Sequence, residues 1–134
     1  MKRILFICTG NICRSQMAEG LARFHGGDRV AAFSAGSQPA GRVSKNAVLV
    51  MAEKGIDISG QRPKSISEFA GQTFDYVITL CDHARQSCPF FPGGPHLHWS
   101  IADPYGGGVA AFRAARDDIE QRIRKLLETL GKED

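Results

Sequence analysis

Long apolar runs are missing from this 134-residue chain. The run beginning at Ile4 stops after about five residues, far below the ~20 that a membrane-spanning helix needs. It also falls short of the roughly 7–15 apolar residues of a secretory signal core, although Met1-Lys2-Arg3 precedes it. Dense Lys/Arg clusters interleaved with aromatics are missing too, and the net charge of +3 is mild. That argues against a nucleic-acid partner, while the small positive excess favours the approach of a small anion. The triphosphate-binding pattern G-x-x-x-x-G-K-[ST] does not occur, which argues against a nucleoside triphosphatase. His25, His83, His96 and His98 show no metal-ligand spacing, so no metal is expected and all four read as surface or loop residues. Repeats, low-complexity tracts and linkers are absent. The length suits one domain over residues 1–134, large enough for a core without staples. With no targeting or membrane segment the expected compartment is the cytoplasm, where the four cysteines rest reduced. Nothing suggests a surplus apolar face, and a monomer is expected.

What is present centres on Cys8-Thr9-Gly10-Asn11-Ile12-Cys13-Arg14-Ser15. The stretch lies between a short apolar run and a helical pattern, so a cysteine and an arginine bracket a loop at a strand-to-helix junction. Successive backbone N–H groups of such a loop make an anion-binding concavity, and the helix N-terminus adds its free N–H groups. Arg14 offers a bidentate donor fork to a tetrahedral oxyanion. The same positive groups favour the Cys8 thiolate. Gly10 and Asn11 suit left-handed backbone angles, and the Ser15 hydroxyl can donate to the thiolate. Cys13 lies in the loop but reads as packing.

The flanking pattern gives the frame. Arg3 to Cys8 reads as a buried strand, apolar without alternation. Arg14 to His25 carries Met17, Ala18, Leu21 and Ala22 at helical spacing, and Gly26-Gly27 ends the helix. Val30 to Ser34 is a second strand. Ser44 reads as the N-cap of a helix bearing Ala47, Val48, Met51 and Ala52, with Gly55 as its stop. Residues 56–72 form a loop with a short helix near Ser65–Ala70. Tyr76 to Leu80 is the clearest strand and ends on Cys81. Cys88-Pro89 to Pro95 is a turn-rich loop, in which Phe90-Phe91 reads as packing, as does Trp99 beyond it. Leu97 to Ile101 is a last strand, followed by Asp103-Pro104-Tyr105-Gly106. The final helix has one apolar stripe of Phe112, Ala115, Ile119, Ile123, Leu126, Leu127 and Leu130. Asp118–Arg122 and Glu120–Arg124 are i,i+4 pairs on its wet side.

Alternating strands and helices imply right-handed crossovers, hence an α/β, three-layer fold. Four strands suit a parallel sheet of order 2-1-3-4 with helices on both faces. Ligands then bind beyond the strands' carboxyl ends, between the first and third strands. Cys8 and Cys81 therefore meet at one crevice, and Asp103 faces its rim. On residue types alone, Cys81 and Cys88 are two core cysteines, half a metal site with His83, or redox-active thiols.

The loop resembles that of the low-molecular-weight tyrosine phosphatase superfamily, which includes the thiol-coupled arsenate reductases. Ile12 and Asp-Pro-Tyr-Gly resemble the phosphatases. Ser15-Gln16-Met17-Ala18-Glu19-Gly20, Ser34-Ala35-Gly36 and Val77-Ile78-Thr79-Leu80-Cys81 with Cys88-Pro89 resemble the reductases. The likeness runs from residue 4 to about 125 in one motif order. It implies an arsenate reductase with a three-cysteine relay and no tightly bound cofactor. Thr9, Gly10, Asn11, Ile12, Cys13, Arg14 and Ser15 would hold arsenate while Cys8 attacks it and Asp103 acts as general acid. Cys81 would attack Cys8, releasing arsenite, and Cys88 would attack Cys81, leaving a Cys81–Cys88 disulfide for thioredoxin. The alternatives are a tyrosine phosphatase using Cys8, Arg14 and Asp103, with weak phosphatase activity conceivable in a reductase as well, and a non-catalytic oxyanion or redox sensor. Asn11, Ser15, Glu19 and Ser34 would support the loop. In some thioredoxin-coupled relatives Asn11, Glu19 and Ser34 correspond to positions around a potassium ion. Lys64 stands where a further carboxylate would come, so its ammonium can fill that space; a plain surface lysine is the other reading.

Overall fold

Parallel pairing of four short strands builds the centre of the computed structural model, which describes residues 1–133. The elements run β1 (Lys2–Cys8), α1 (Arg14–Gly26), β2 (Val30–Gly36), α2 (Lys45–Ala52), β3 (Tyr76–Thr79), α3 (Asp82–Ser87), β4 (His96–His98) and α4 (Gly108–Glu133). Short 3-10 turns at Gly27–Arg29 and Ile66–Phe69 interrupt the connections. The sheet order is β2-β1-β3-β4, with Cys8 opposite Gly36 on one side and Ile7 opposite Thr79 on the other. Strand one is central because Ile4, Leu5, Phe6 and Ile7 are all buried. Each such side chain contributes roughly 1.5–3 kcal/mol by leaving water.

Alternation along β1 sorts the core into two layers. Ile4, Phe6 and Cys8 share a cluster with Met17 and Leu21 of α1 and Ile119 and Ile123 of α4. Leu5 and Ile7 belong to the opposite cluster, with Phe69, Phe74, Ala84 and Phe91. There Phe74 meets Phe33, Phe69 and Phe91 edge to face. The Arg3 guanidinium caps Phe33 at 4.7 Å and Phe74 at 4.9 Å. The apolar stripe of α4 is buried throughout, as its spacing requires.

Four local expectations are corrected. The last strand is His96–His98 rather than 97–101, because Asp103-Pro104 pulls the chain away toward the cleft and leaves Trp99 to Ile101 with only two backbone bonds to strand three's end. Glu120 does not pair with Arg124: it is nearly buried and meets His25 at 2.8 Å and Lys54 at 3.3 Å, while Asp118–Arg122 does form, at 2.8 Å. Ser44 stands at the start of α2 but its side chain makes no cap; its hydroxyl is used by Cys13 instead. Phe90 is 81% exposed, stacked on His96, whereas Phe91 is buried. No helix of the described residues is long and apolar enough to cross a membrane.

Candidate active site

Backbone hydrogen bonds turn the Cys8–Ser15 loop inside in. The carbonyls of Cys8, Thr9, Gly10 and Ile12 accept from the N–H groups of Ser37, Gln38, Ala40 and Ser44. Among the described residues all peptides are trans, so the N–H groups of Thr9, Gly10, Asn11 and Cys13 point the opposite way, toward the loop centre. Gly36 permits this contact, since a Cβ there would lie 2.5 Å from the Thr9 carbonyl oxygen. Asn11 takes the left-handed conformation at φ 54°, but Gly10 does not. The tight turn needs one such residue, and Asn11 supplies it because its side chain is anchored.

That anchoring sets the nucleophile's partner. Asn11 Oδ1 accepts from the Lys64 N–H at 2.8 Å and from Gln16 Nε2 at 3.0 Å. Its Nδ2 donates to Ser15 Oγ at 2.7 Å. That leaves the single Ser15 hydroxyl proton free to be donated to Cys8 Sγ, 2.7 Å away, when the sulfur is ionised. Gln16 also donates to the Asn11 and Arg62 carbonyls, clamping the loop to residues 61–64. A polar residue in a helix's first turn carries no sequence signal for burial, so Gln16 was not legible as a loop support.

Cys8 differs from expectation in its protonation. Burial pushes its thiol above 9.0, opposed by the Ser15 hydroxyl, the Ser15 and Asn11 N–H groups and the Arg14 charge. The stabilising groups are all present, and desolvation outweighs them. Burial likewise pushes Cys13 up to about 11, as suits a packed thiol.

Arg14 reaches across to the Asp103 segment, donating to the Ile101 carbonyl at 2.9 Å and lying 3.8 Å from Asp103 Oδ2. Cys8, Thr9, Gly10, Ile12, Cys13, Arg14, Asp103 and Tyr105 line one cleft of about 280 Å³. Tyr105 walls this cleft although nothing in its sequence pattern marks it for that place. Cys81 is not part of that lining but stands beside the same loop, its Sγ 3.3 Å from Thr9 Oγ1. Cys81 and Cys88 flank α3, both as free thiols, and burial pushes Cys88 up. Among the described residues no group of three or more His, Cys, Asp or Glu side chains is placed to hold a metal ion.

Behind the loop, Glu19 is buried and accepts from Ser34 Oγ at 2.7 Å. Arg23 meets its other oxygen at 2.8 Å. Lys64 Nζ lies 3.6 Å from Glu19 Oε1 and donates to the Arg62 carbonyl at 2.9 Å. All four histidines are engaged rather than merely exposed: His25 with Glu120, His98 with Thr79 and Asp82, His96 with the Phe91 backbone, and His83 near Thr9 and Ser37.

The chain is similar to known proteins over nearly its whole length. The arsenate reductase of Halalkalibacterium halodurans is 44% identical over 135 residues, covering 96% of each chain. The solved Corynebacterium glutamicum thioredoxin-dependent arsenate reductase superposes with a TM-score of 0.84 at 30% identity, covering all of this chain and 64% of that one. The YwlE arginine phosphatase of Geobacillus stearothermophilus superposes with a TM-score of 0.81 at 33% identity, covering 99% of this chain and 95% of that one. The low-molecular-weight phosphotyrosine protein phosphatase profile matches residues 3–134. With the cysteine–arginine loop, the 2-1-3-4 sheet and this match in agreement, the chain belongs to the low-molecular-weight phosphotyrosine protein phosphatase family.

Proposed function

We propose that this protein is a cytoplasmic, single-domain arsenate reductase that uses a three-cysteine relay and is reduced by thioredoxin. The observation that carries the reading is Cys81 beside the oxyanion loop, 3.3 Å from Thr9 Oγ1, with Cys88 at the other end of the same short helix. A phosphatase has no use for that pair. The names of the relatives support the substrate, and the Corynebacterium structure supports the reductant.

The relay starts with arsenate in the loop, its oxygens held by the inward N–H groups and Arg14. Cys8 enters as a thiol because burial holds its proton; arsenate's own oxygen takes that proton, so ionising the sulfur adds no net charge to the loop. The Ser15 hydroxyl stabilises the nascent thiolate. Sulfur attacks arsenic(V), and Asp103 protonates the departing oxygen. Cys81 then attacks Cys8 Sγ. The S–As bond breaks, its electron pair stays on arsenic, and arsenite leaves a Cys8–Cys81 disulfide. Cys88 attacks Cys81, restoring Cys8 and exposing a Cys81–Cys88 disulfide to thioredoxin.

No potassium ion enters this scheme. Glu19 is already met by Arg23 and Lys64, so the donor set does not fit a further cation; the ammonium of Lys64 takes that place.

The second reading is a phosphatase, favoured by Tyr105 and Asp103 at the cleft and by the YwlE likeness. Arsenate-dependent NADPH oxidation through thioredoxin and its reductase, measured beside aryl phosphate hydrolysis, separates the two. Reductase predicts that Cys88→Ser abolishes turnover in the first assay beyond one cycle. Robust phosphate hydrolysis with no arsenate-dependent oxidation would establish the phosphatase.

A further inference from the structure

Two hydroxyls from different loops converge on one imidazole nitrogen beside Cys81. Thr9 Oγ1, in the oxyanion loop, and Ser37 Oγ, just past β2, each lie 3.4 Å from His83 Nδ1. The same Thr9 oxygen lies 3.3 Å from Cys81 Sγ. His83 is exposed and contributes nothing to the core, so packing does not explain its place. It sits in α3, tied by a bond of 2.8 Å from the Ser87 hydroxyl to its own carbonyl.

We propose that His83 is a positioning residue for the second attack, taking through Thr9 the proton that Cys81 must lose before it reaches Cys8. This rests on the relay reading above. A hydroxyl accepts and donates at once, so Thr9 can receive the Cys81 proton while passing its own to Nδ1, without changing charge. With the ring proton on Nε2, the Nδ1 lone pair faces Thr9 and Ser37, and one O–H at a time can use it. The Cys81 S–H bond breaks and the imidazole becomes an imidazolium. The Cys81–Cys8 S–S bond forms, the Cys8–As bond breaks, and arsenic goes from the +5 to the +3 state with the electron pair.

The surroundings suit this role. Thr9 and Ser37, the polar side chains facing the ring from the two loops, are not ionisable. Asp82, its neighbour in α3, is turned to His98 of β4 at 3.1 Å, and among the described residues no carboxylate or cation pairs with His83. Cys88 has no comparable arrangement: its Sγ donates to the Pro89 carbonyl at 3.2 Å. The two thiols of the pair are thus unequal, with the proton path given to the one that attacks first.

The test is a single turnover with arsenate and no reductant in the Cys88→Ser background, which halts at the Cys8–Cys81 disulfide. The expected rate of disulfide formation carries a pH dependence that requires the imidazole. Adding His83→Asn keeps an amide that can meet both hydroxyls but cannot take the proton. At neutral pH the rate should then fall about 100-fold, the lower end for a positioned base. The pH profile should change with it, and added imidazole should restore part of the rate. An unchanged profile, or an equal slowing at every pH, overturns the proposal. If the Cys88→Ser protein with His83 intact forms no Cys8–Cys81 disulfide, the relay itself has failed and His83 has no step to serve.

Discussion

Lys64 and Glu19 meet behind the oxyanion loop, Nζ to Oε1 at 3.6 Å, although 45 positions separate them. The Lys64 N–H also holds Asn11 Oδ1, so one residue serves both the loop's turn and the carboxylate beneath it. Replacing potassium by sodium should leave arsenate turnover unchanged, since the ammonium already neutralises Glu19. A large loss of turnover in sodium would refute that. Lys64→Ala removes one partner of a buried carboxylate and should lower stability by about 1–3 kcal/mol, read from denaturant midpoints.

Ser15→Ala leaves the desolvation of Cys8 without its strongest opponent. A hydrogen bond to a charged group is worth about 1.5–3 kcal/mol, and one pH unit is about 1.4 kcal/mol. The pH midpoint of Cys8 alkylation by iodoacetamide should therefore rise by about one unit or more. The first chemical step should slow about tenfold at neutral pH. An unmoved midpoint would mean that the hydroxyl does not donate to sulfur.

The frame of the site was open to reading because it follows from local patterns: an unalternated apolar strand, a glycine-bearing loop, a helix stripe. The parallel order then placed Cys8 and Cys81 at one crevice. Relationships set by burial were not open in the same way. Glu120 reads as a wet-side helix residue, and only the docking of α4 against His25 and Lys54 draws it inward. The thiolate expected at Cys8 counted the positive groups and could not weigh the desolvation that accompanies them. His83 follows Cys81 by two residues, but its approach to Thr9 and Ser37 depends on how α3 meets two distant loops.

Glu53 ties α2 to α4 through Arg113 at 2.7 Å and Arg116 at 2.8 Å. These guanidinium groups hold its carboxyl at about 2, below the usual 4.5. Below 4.5 the unfolded chain binds the proton first, so the stabilisation is full above that pH and is lost as pH falls toward 2. In Glu53→Gln, the fall in Tm across that acid window should be shallower than in the wild type. Parallel curves would contradict the assignment.

Helix α3 spans the interval between its two thiols when they are reduced. Seven residues at about 1.5 Å each place the cysteines roughly 10 Å apart along the axis, whereas a disulfide needs Cα atoms within roughly 4.4–6.8 Å. Oxidation must therefore unwind residues 82–87 and release the Asp82–His98 contact. Amide hydrogen exchange over 82–87 should accelerate in the oxidised protein. Equal protection in both redox states would exclude the rearrangement.

The most direct measurement adds arsenate to reduced Cys88→Ser without any reductant and follows arsenite release with disulfide mapping by mass spectrometry. The relay predicts about one arsenite per chain, released together with formation of a Cys8–Cys81 disulfide. Cys8 and Cys81 both remaining free, with no arsenite formed, would contradict it.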